Sequence, residues 1–252
     1  MDAERILEGL NPEQRVAAET TRGPLCILAG AGTGKTTTIT RRIAWQVATG
    51  AFPAQQIVAV TFTQKAAGEL GARLQALGVE GVRASTFHSA ALALLRHFSG
   101  DPGRVLSSKA ILLRRIGNGL PGAYRFRPAG DLATEIEWAK NRRLTPDTYR
   151  DGLGEHEPPI PLDLMHRVFG EYERRKAVEE MLDFEDLLER TARLLEEDER
   201  ARATVHDRWR AITVDEYQDV NLLQQSLLDL WLGERDELCA VGDDYQAIYG
   251  FT

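Results

Sequence analysis

The run from Ala29 to Thr36, AGAGTGKT, spaces three glycines two residues apart and follows them with a lysine and a threonine. Gly30, Gly32 and Gly34 can take backbone angles closed to other residues, so successive N–H groups can turn inward around phosphate oxygens. Lys35 then supplies a point charge to the β and γ phosphates, Thr36 an oxygen to Mg²⁺, and the following helix its positive N-terminal end. A glycine turn with a solvated lysine has the same composition. Context separates the two, because a phosphate loop must follow a strand and open a helix. A second pair of interest is Asp215 and Glu216, directly after AITV. A carboxylate at a strand's C-terminus can reach Mg²⁺ from the side opposite Thr36, and an acid one residue on can orient and deprotonate water. Two adjacent acids are usually a solvated turn, but these end an apolar strand in a chain that already carries a phosphate loop.

Such residues need a frame, and the flanking sequence provides one. LCIL, from Leu25 to Leu28, leads into the glycine turn and then a segment with Ile39, Ile43 and Val47 at helical spacing. VAVTF, from Val58 to Phe62, leads to KAAGELGARLQAL, and VRASTF leads to HSAALALLRHF. Three strand-then-helix units predict a parallel sheet with right-handed crossovers, whose ligand edge lies at the strand C-termini. From about Ser99 strand signals give way to Arg-rich and Glu-rich helical stretches, broken by DPG, PGAYRFRP and HEPPIP. Leu112, Leu113 and Ile116, then Met165, Val168 and Phe169, predict small helices around a modest core, a helical insertion. AITVDEYQDV and LCAVGDDYQ restore strand signals on either side of a helical stretch from Leu222 to Leu232, so the first domain is expected to resume near Leu182.

At roughly 150 residues per domain, the 252 residues make one large domain or two smaller ones. Hydrophobic residues at 43% and charged residues at 27% exclude a disordered or fibrous chain. A net charge of −7 means that no global basic field advertises nucleic acid or an anionic membrane, which leaves a local basic groove as the alternative. Cys26 and Cys239 sit far from any second Cys or His at metal spacing, against a disulfide framework or a zinc site. The start MDAERILEGL lacks the layout of a secretory signal, and no segment has the ~20 apolar residues of a bilayer span, so a cytoplasmic protein without membrane contact is expected.

Taken in order, these segments resemble the UvrD/PcrA/Rep group of superfamily 1 DNA helicases. Leu10, Asn11, Pro12 and Gln14 resemble its adenine-reading Q motif, AGAGTGKT its motif I, VTFTQKAA motif Ia, and STFH the DNA-contacting motif after it. LDFEDLL, from Leu182 to Leu188, resembles the segment that re-enters the first motor domain, VDEYQD is similar to motif II, and VGDDYQAIYGF to motif III. The wording VTFTQKAA, VDEYQD and IYGFT is most similar to the second UvrD-type branch found in actinobacteria. The resemblance implies an α/β fold, a RecA-like P-loop NTPase parallel sheet with an inserted all-helical subdomain. Residues 1–95 and 182–252 would form the motor domain and residues 96–181 the insertion.

The resemblance also implies roles. ATP would be held by Gln14 at the adenine edge and by Ala29, Gly30, Ala31, Gly32, Thr33, Gly34, Lys35, Thr36 and Thr37 along the phosphates. Thr36 and Asp215 would hold Mg²⁺. Lys35, Asp215, Glu216 and Gln246 would form the catalytic set, with Gln246 sensing the γ-phosphate and coupling it to DNA. Phe62, Tyr249 and Phe251 would be base-stacking platforms, and Thr61, Thr63, Thr86 and His88 would line the strand's phosphates. By residue type alone Gln14 reads as a helix cap, Phe62 as core and His88 as a structural histidine. In IEWAKNRR, Lys140, Arg142 and Arg143 would either touch duplex DNA or form a solvated face. Four positions depart from the family's pattern: Thr37 for a frequent Arg, Gln64 for Asn, Tyr245 for a third Asp, and Phe251 for Trp.

The function implied is that of an ATP-dependent helicase moving 3′ to 5′ on single-stranded DNA in repair. Its partners would be single strands, single-strand/duplex junctions and repair proteins, with the chain a monomer. Because the sequence stops at Thr252, just after motif III, the 252 residues alone are expected to bind ATP but hydrolyse it poorly, lacking the arginines such relatives contribute from beyond that point. Two alternatives remain: a nucleotide- and strand-binding module without significant turnover, and a motor subunit of an exonuclease–helicase complex.

Overall fold

The computed structural model describes residues 3–30 and 32–243. Its strands are β1 (Leu25–Leu28), β2 (Ile57–Thr61), β3 (Arg83–Thr86), β4 (Arg104–Val105), β5 (Met181–Leu182), β6 (Ala211–Val214) and β7 (Leu238–Gly242). Its helices are α1 (Ala3–Leu7), α2 (Pro12–Glu19), α3 (Lys35–Ala48), α4 (Gln64–Ala76), α5 (Phe87–Phe98), α6 (Ala110–Gly117), α7 (Ala129–Asn141), α8 (Leu162–Val178), α9 (Phe184–Glu197), α10 (Glu199–Arg208) and α11 (Leu222–Leu232). The chain divides into two units. One comprises the residues up to Ala90, Leu194–Asn221 and those from Gln225 onward; the other comprises Ala91–Arg193 with Leu222–Gln224.

The first unit is built on a five-stranded sheet in the order β1-β7-β6-β2-β3. Every pairing in it is parallel, with Leu28 opposite Gly242, Val60 opposite Val214 and Thr61 opposite Thr86. The central strands β2 and β6 are buried along their whole length, which is why IVAVT and AITV are apolar runs and not alternating patterns. Ile39 and Ile43 of α3 and Leu70 and Leu74 of α4 pack with Ile57, Ala59 and Val241 in one apolar cluster. Each of the Ile, Leu and Val side chains stabilises the unit by roughly 1.5–3 kcal/mol on burial. Since all five strands run the same way, Leu28, Thr61, Thr86, Val214 and Gly242 end at one edge, and the loops that follow them share it.

The second unit is helical apart from a two-residue parallel pairing of Arg104 with Met181 and Val105 with Leu182. Leu113 of α6, Leu132 and Ile136 of α7, and Met165, Phe169 and Tyr172 of α8 close around Tyr149. Beside this apolar core lies a cluster of charge. Lys140 Nζ donates to both carboxylate oxygens of Asp183 at 2.8 Å, to Glu173 at 3.2 Å and to Asp186. Lys176 Nζ donates to Asp183 at 2.9 Å and pairs with Glu173 at 2.9 Å, and the Tyr172 hydroxyl donates to Asp183 at 3.0 Å. Asp183 and Asp186 also exchange backbone-to-side-chain hydrogen bonds of 2.9 Å, fixing the start of α9. Burial alone would push the Asp183 carboxyl up; the ammoniums of Lys140 and Lys176 reverse this and hold it well below the usual carboxylate range. Lys140 is therefore neither a duplex contact nor part of a solvated face, because its partners lie more than thirty residues away and bury it at 8% exposure. Of the other two basic residues of that segment, Arg143 donates to Glu189 at 2.8 Å and Arg142 lies 4.4 Å from the Trp138 ring centre.

Candidate functional site

The phosphate loop leaves β1 at Leu28 and runs into α3 at Lys35, so the strand–loop–helix context is met. Gly32 and Gly34 take left-handed φ values of +76° and +88°; Gly30 does not, and an added Cβ there would meet only ordinary contacts at 3.9 Å. Gly34 is needed twice, since its would-be Cβ also falls 2.8 Å from Gln14 Nε2. Helices α2 and α4 are capped by the Asn11 and Thr63 side chains, whereas α3 has no side-chain cap. Its first N–H groups are thus left for a ligand, as an anion site at a helix N-terminus requires. Thr33 Oγ1 donates to Gly30 O at 2.7 Å and braces the turn. Thr36 and Thr37 follow in the first turn of α3, both half-buried. Ala29 joins the loop to the sheet through its N–H, which donates to Gly242 O at 3.0 Å.

Gln14 takes the helix-cap role that its residue type suggests. Its Oε1 accepts from Asn11 N at 3.1 Å while Asn11 Oδ1 accepts from Gln14 N at 2.8 Å, a capping box worth about 1 kcal/mol. Its amide nitrogen donates to Thr33 O at 2.9 Å, tying the start of α2 to the phosphate loop.

The carboxylates come from β6, separated from β1 by β7 alone. Asp215 N donates to Val60 O at 2.9 Å, continuing the ladder, and Glu216 then turns with φ +52°. Lys35 Nζ and Glu216 Oε2 meet at 2.9 Å, with the lysine 10% and the glutamate 39% exposed. Burial, and then the neighbouring Glu216, raise the Asp215 pKa. For Glu216 burial acts upward, but hydrogen bonds from Gln218 and Lys35 outweigh it and the net direction is down. Two acids so placed carry negative charge only partly answered by one lysine, and the Asp215 carboxylate and Thr36 hydroxyl are oxygen donors of the chemical type that Mg²⁺ takes.

The other half of the sheet edge follows β2 and β3. Thr61 and Thr86, opposite one another, are 2% and 5% exposed. Thr61 Oγ1 donates to Thr63 O at 3.1 Å and Thr86 Oγ1 to Ser89 Oγ at 3.0 Å, so both hydroxyls order the loops. Thr63 is exposed and its Oγ1 accepts from Ala66 N, while Phe62 is half-buried. Phe62 starts a chain of rings: 6.0 Å to Phe87, 5.7 Å on to Trp231, and 4.9 Å on to Trp209. His88 lies half-buried in the first turn of α5. Ala31, Gln246, Tyr249 and Phe251 lie outside the described residues.

Comparison with known proteins decides the lineage. Residues 10–252 match the model of the UvrD/REP helicase N-terminal domain. The chain belongs to this family. It is 44% identical to the ATP-dependent DNA helicase UvrD2 of Mycobacterium tuberculosis, over 98% of this chain and 38% of that protein. It is 36% identical to UvrD1 of the same species and 33% to PcrA of Staphylococcus aureus, in each case across 34% of the relative's length. The chain thus spans little more than a third of the curated relatives it matches. No helix among the described residues is long and apolar enough to cross a membrane.

Within the UvrD/REP frame, the structure adds two residues that sequence reasoning left without a role. Gln218 Nε2 donates to Glu216 Oε2 at 2.8 Å, and its Oε1 accepts from Asp243 N at 3.1 Å, linking the carboxylate to the end of β7. Gly242 admits that amide, since a Cβ there would stand 2.7 Å from Gln218 Oε1. The available signal was the adjacency of β6 and β7, which brings VDEYQD beside LCAVGD.

Proposed function

We propose that this chain is the nucleotide- and strand-binding motor portion of an ATP-dependent DNA helicase that moves 3′ to 5′ in DNA repair. The observation that carries the reading is the meeting of Lys35 and Glu216 at 2.9 Å, beside Asp215 and the uncapped start of α3. Lys35 and the loop N–H groups grip the phosphates of ATP, and Gln14 reads the base. Thr36 and Asp215 hold Mg²⁺, which when bound supplies charge to the phosphate oxygens. Glu216 gives up its bond to Lys35 as the lysine turns to the nucleotide, and its carboxylate then orients water and accepts its proton. Gln218 holds Glu216 in register with β7, whose chain continues toward Gln246.

Single-stranded DNA crosses the β2 and β3 end of the same edge, stacking a base on Phe62 and meeting Thr63 and His88; Thr61 and Thr86 shape that surface from beneath. Tyr249 and Phe251 continue the stacking. Residues 1–95 and 182–252 form the motor domain and residues 96–181 the inserted domain, bounds that differ from the two compact units chiefly in giving 182–193 to the motor domain. Single-strand/duplex junctions, a monomeric state, repair-protein partners and the cytoplasm complete the proposal. Its test is a calorimetric titration with Mg·ATP and Mg·GTP. ATP should bind more tightly, and Gln14→Ala should narrow the gap; equal affinities would remove the base-reading role of Gln14.

A further inference from the structure

The edge of the first unit's sheet where the strands begin, away from the phosphate loop, carries a cavity of about 490 Å³. Arg83, the first residue of β3, lines it, with its guanidinium carbon 5.8 Å from the ring centre of the buried Trp209. The Nε of Arg83 is sealed from water and has no hydrogen-bond partner. Arg208, the last residue of α10, is exposed and lines the same cavity, with Gln55 at the rim. Burial, and then the nearby charge of Arg208, hold the Arg83 pKa below the ordinary arginine value. The lining includes one acid, Asp207, which the two arginines outnumber. A buried donor without an acceptor is costly, and so is a pair of like charges at close range. A bound oxyanion removes the second of these costs, and the guanidinium's planar fork matches its geometry. The volume lies within the roughly 300–1,000 Å³ of small-ligand sites and exceeds what a bare phosphate fills.

We propose that this cavity is a second anion site, in which Arg83 and Arg208 grip a phosphate-type oxyanion and Gln55 adds an amide donor. Because it lies at the other sheet edge, it stands apart from the nucleotide reading. The phosphate loop itself takes phosphate, so the test uses the Lys35→Ala chain, titrated with inorganic phosphate at constant ionic strength and followed by calorimetry and tryptophan fluorescence. Saturable binding is expected. Arg83→Gln and Arg208→Gln should each weaken it about tenfold, the loss of a charge-assisted hydrogen bond. Neither should change Mg·ATP affinity when Lys35 is present. Arg208 is exposed, so its variant probes the grip without touching the core. Absence of saturable binding in Lys35→Ala, or binding indifferent to Arg208→Gln, overturns the site. Competition by a short oligodeoxynucleotide separates the two sources of the oxyanion: displacement of arginine-dependent phosphate assigns it to a nucleic-acid strand, and persistence of that binding to a small phosphate ester.

Discussion

Lys35 meets Glu216 at 2.9 Å, and Lys140 meets Asp183 at 2.8 Å, so by distance the two contacts are equivalent. Their surroundings differ. Glu216 is 39% exposed and is held by one lysine and the neutral Gln218 amide, whereas Asp183 is 1% exposed between two lysines and a tyrosine. Water can take over the Glu216 carboxylate as the pair opens, while a ligand takes over the lysine, itself only 10% exposed. No water can do so for the second, where two ammoniums converge on Asp183 and its removal leaves both with only the partly exposed Glu173 and Asp186. The same chemical types thus give an exchangeable contact at the sheet edge and a fixed one inside the helical unit. Exposure decides which.

The sharpest way to break this contrast is Asp183→Ala. Leaving two buried ammoniums without their shared partner should cost about 3–5 kcal/mol, read as lost hydrogen-exchange protection in α7 and α8. The double variant Asp183→Leu, Lys140→Met should recover much of that. A single-variant loss below about 1 kcal/mol would put this cluster in the same class as the edge pair. The pH dependence carries the same signature. Because the Asp183 pKa is depressed, its contribution is present above the ordinary carboxylate pKa and is lost as pH falls through the folded value. Because the Lys140 pKa is raised, its contribution is present below the ordinary lysine pKa and is lost only as pH climbs through the folded value. Between those limits the cluster's contribution should be flat.

Next in size is the edge lysine. Lys35→Ala should leave the fold nearly unchanged and lower Mg·ATP affinity about a hundredfold, close to the roughly 1.5–3 kcal/mol of a hydrogen bond to a charged group. Retained affinity would mean that the uncapped α3 amides suffice alone. Phe62→Ala comes third. A stacked base is worth roughly 1–3 kcal/mol, so single-strand affinity should drop about tenfold with ATP affinity unchanged. Since Phe62 also touches Phe87, loss of folding with no change in the strand affinity of the folded fraction would assign the ring to the core instead.

The edge site was the more legible of the two regions. Strands appear at LCIL, VAVTF, VRASTF, AITV and LCAVGDDYQ, shifted by a residue at β2 and shorter at β3 and β7 than those runs, and AGAGTGKT opens α3, because these signals are local: apolar runs, glycine spacing and a helix start. The Lys140 cluster escaped because its partners lie 33 to 46 residues away, a distance that no helical period spans. Asp183 and Asp186 stood in a segment read only as a motif, LDFEDLL. Gln218 was missed for a related reason, since its second partner is the backbone of Asp243, just past the end of the neighbouring strand. The short β4–β5 pairing joins residues too far apart, and too few, to leave a pattern.

The smallest expected effect is the most discriminating. Glu216→Gln removes one negative charge from the edge pair but keeps a side-chain oxygen of the same shape for Gln218 Nε2, which now donates to Glu216 Oε2 at 2.8 Å. What disappears is the attraction to Lys35, and at 39% exposure that attraction is screened by solvent. A pair of this kind contributes roughly 0–1 kcal/mol, so the urea midpoint should scarcely move. Losing the carboxylate also relieves the Asp215 carboxyl of a like charge, which offsets part of the small loss. A drop of more than about 2 kcal/mol, outside the range of exposed pairs, would mean that Lys35 and Glu216 are bound into the fold as Lys140 and Asp183 are. The sheet edge could not then release its lysine to a nucleotide without loosening the first unit itself.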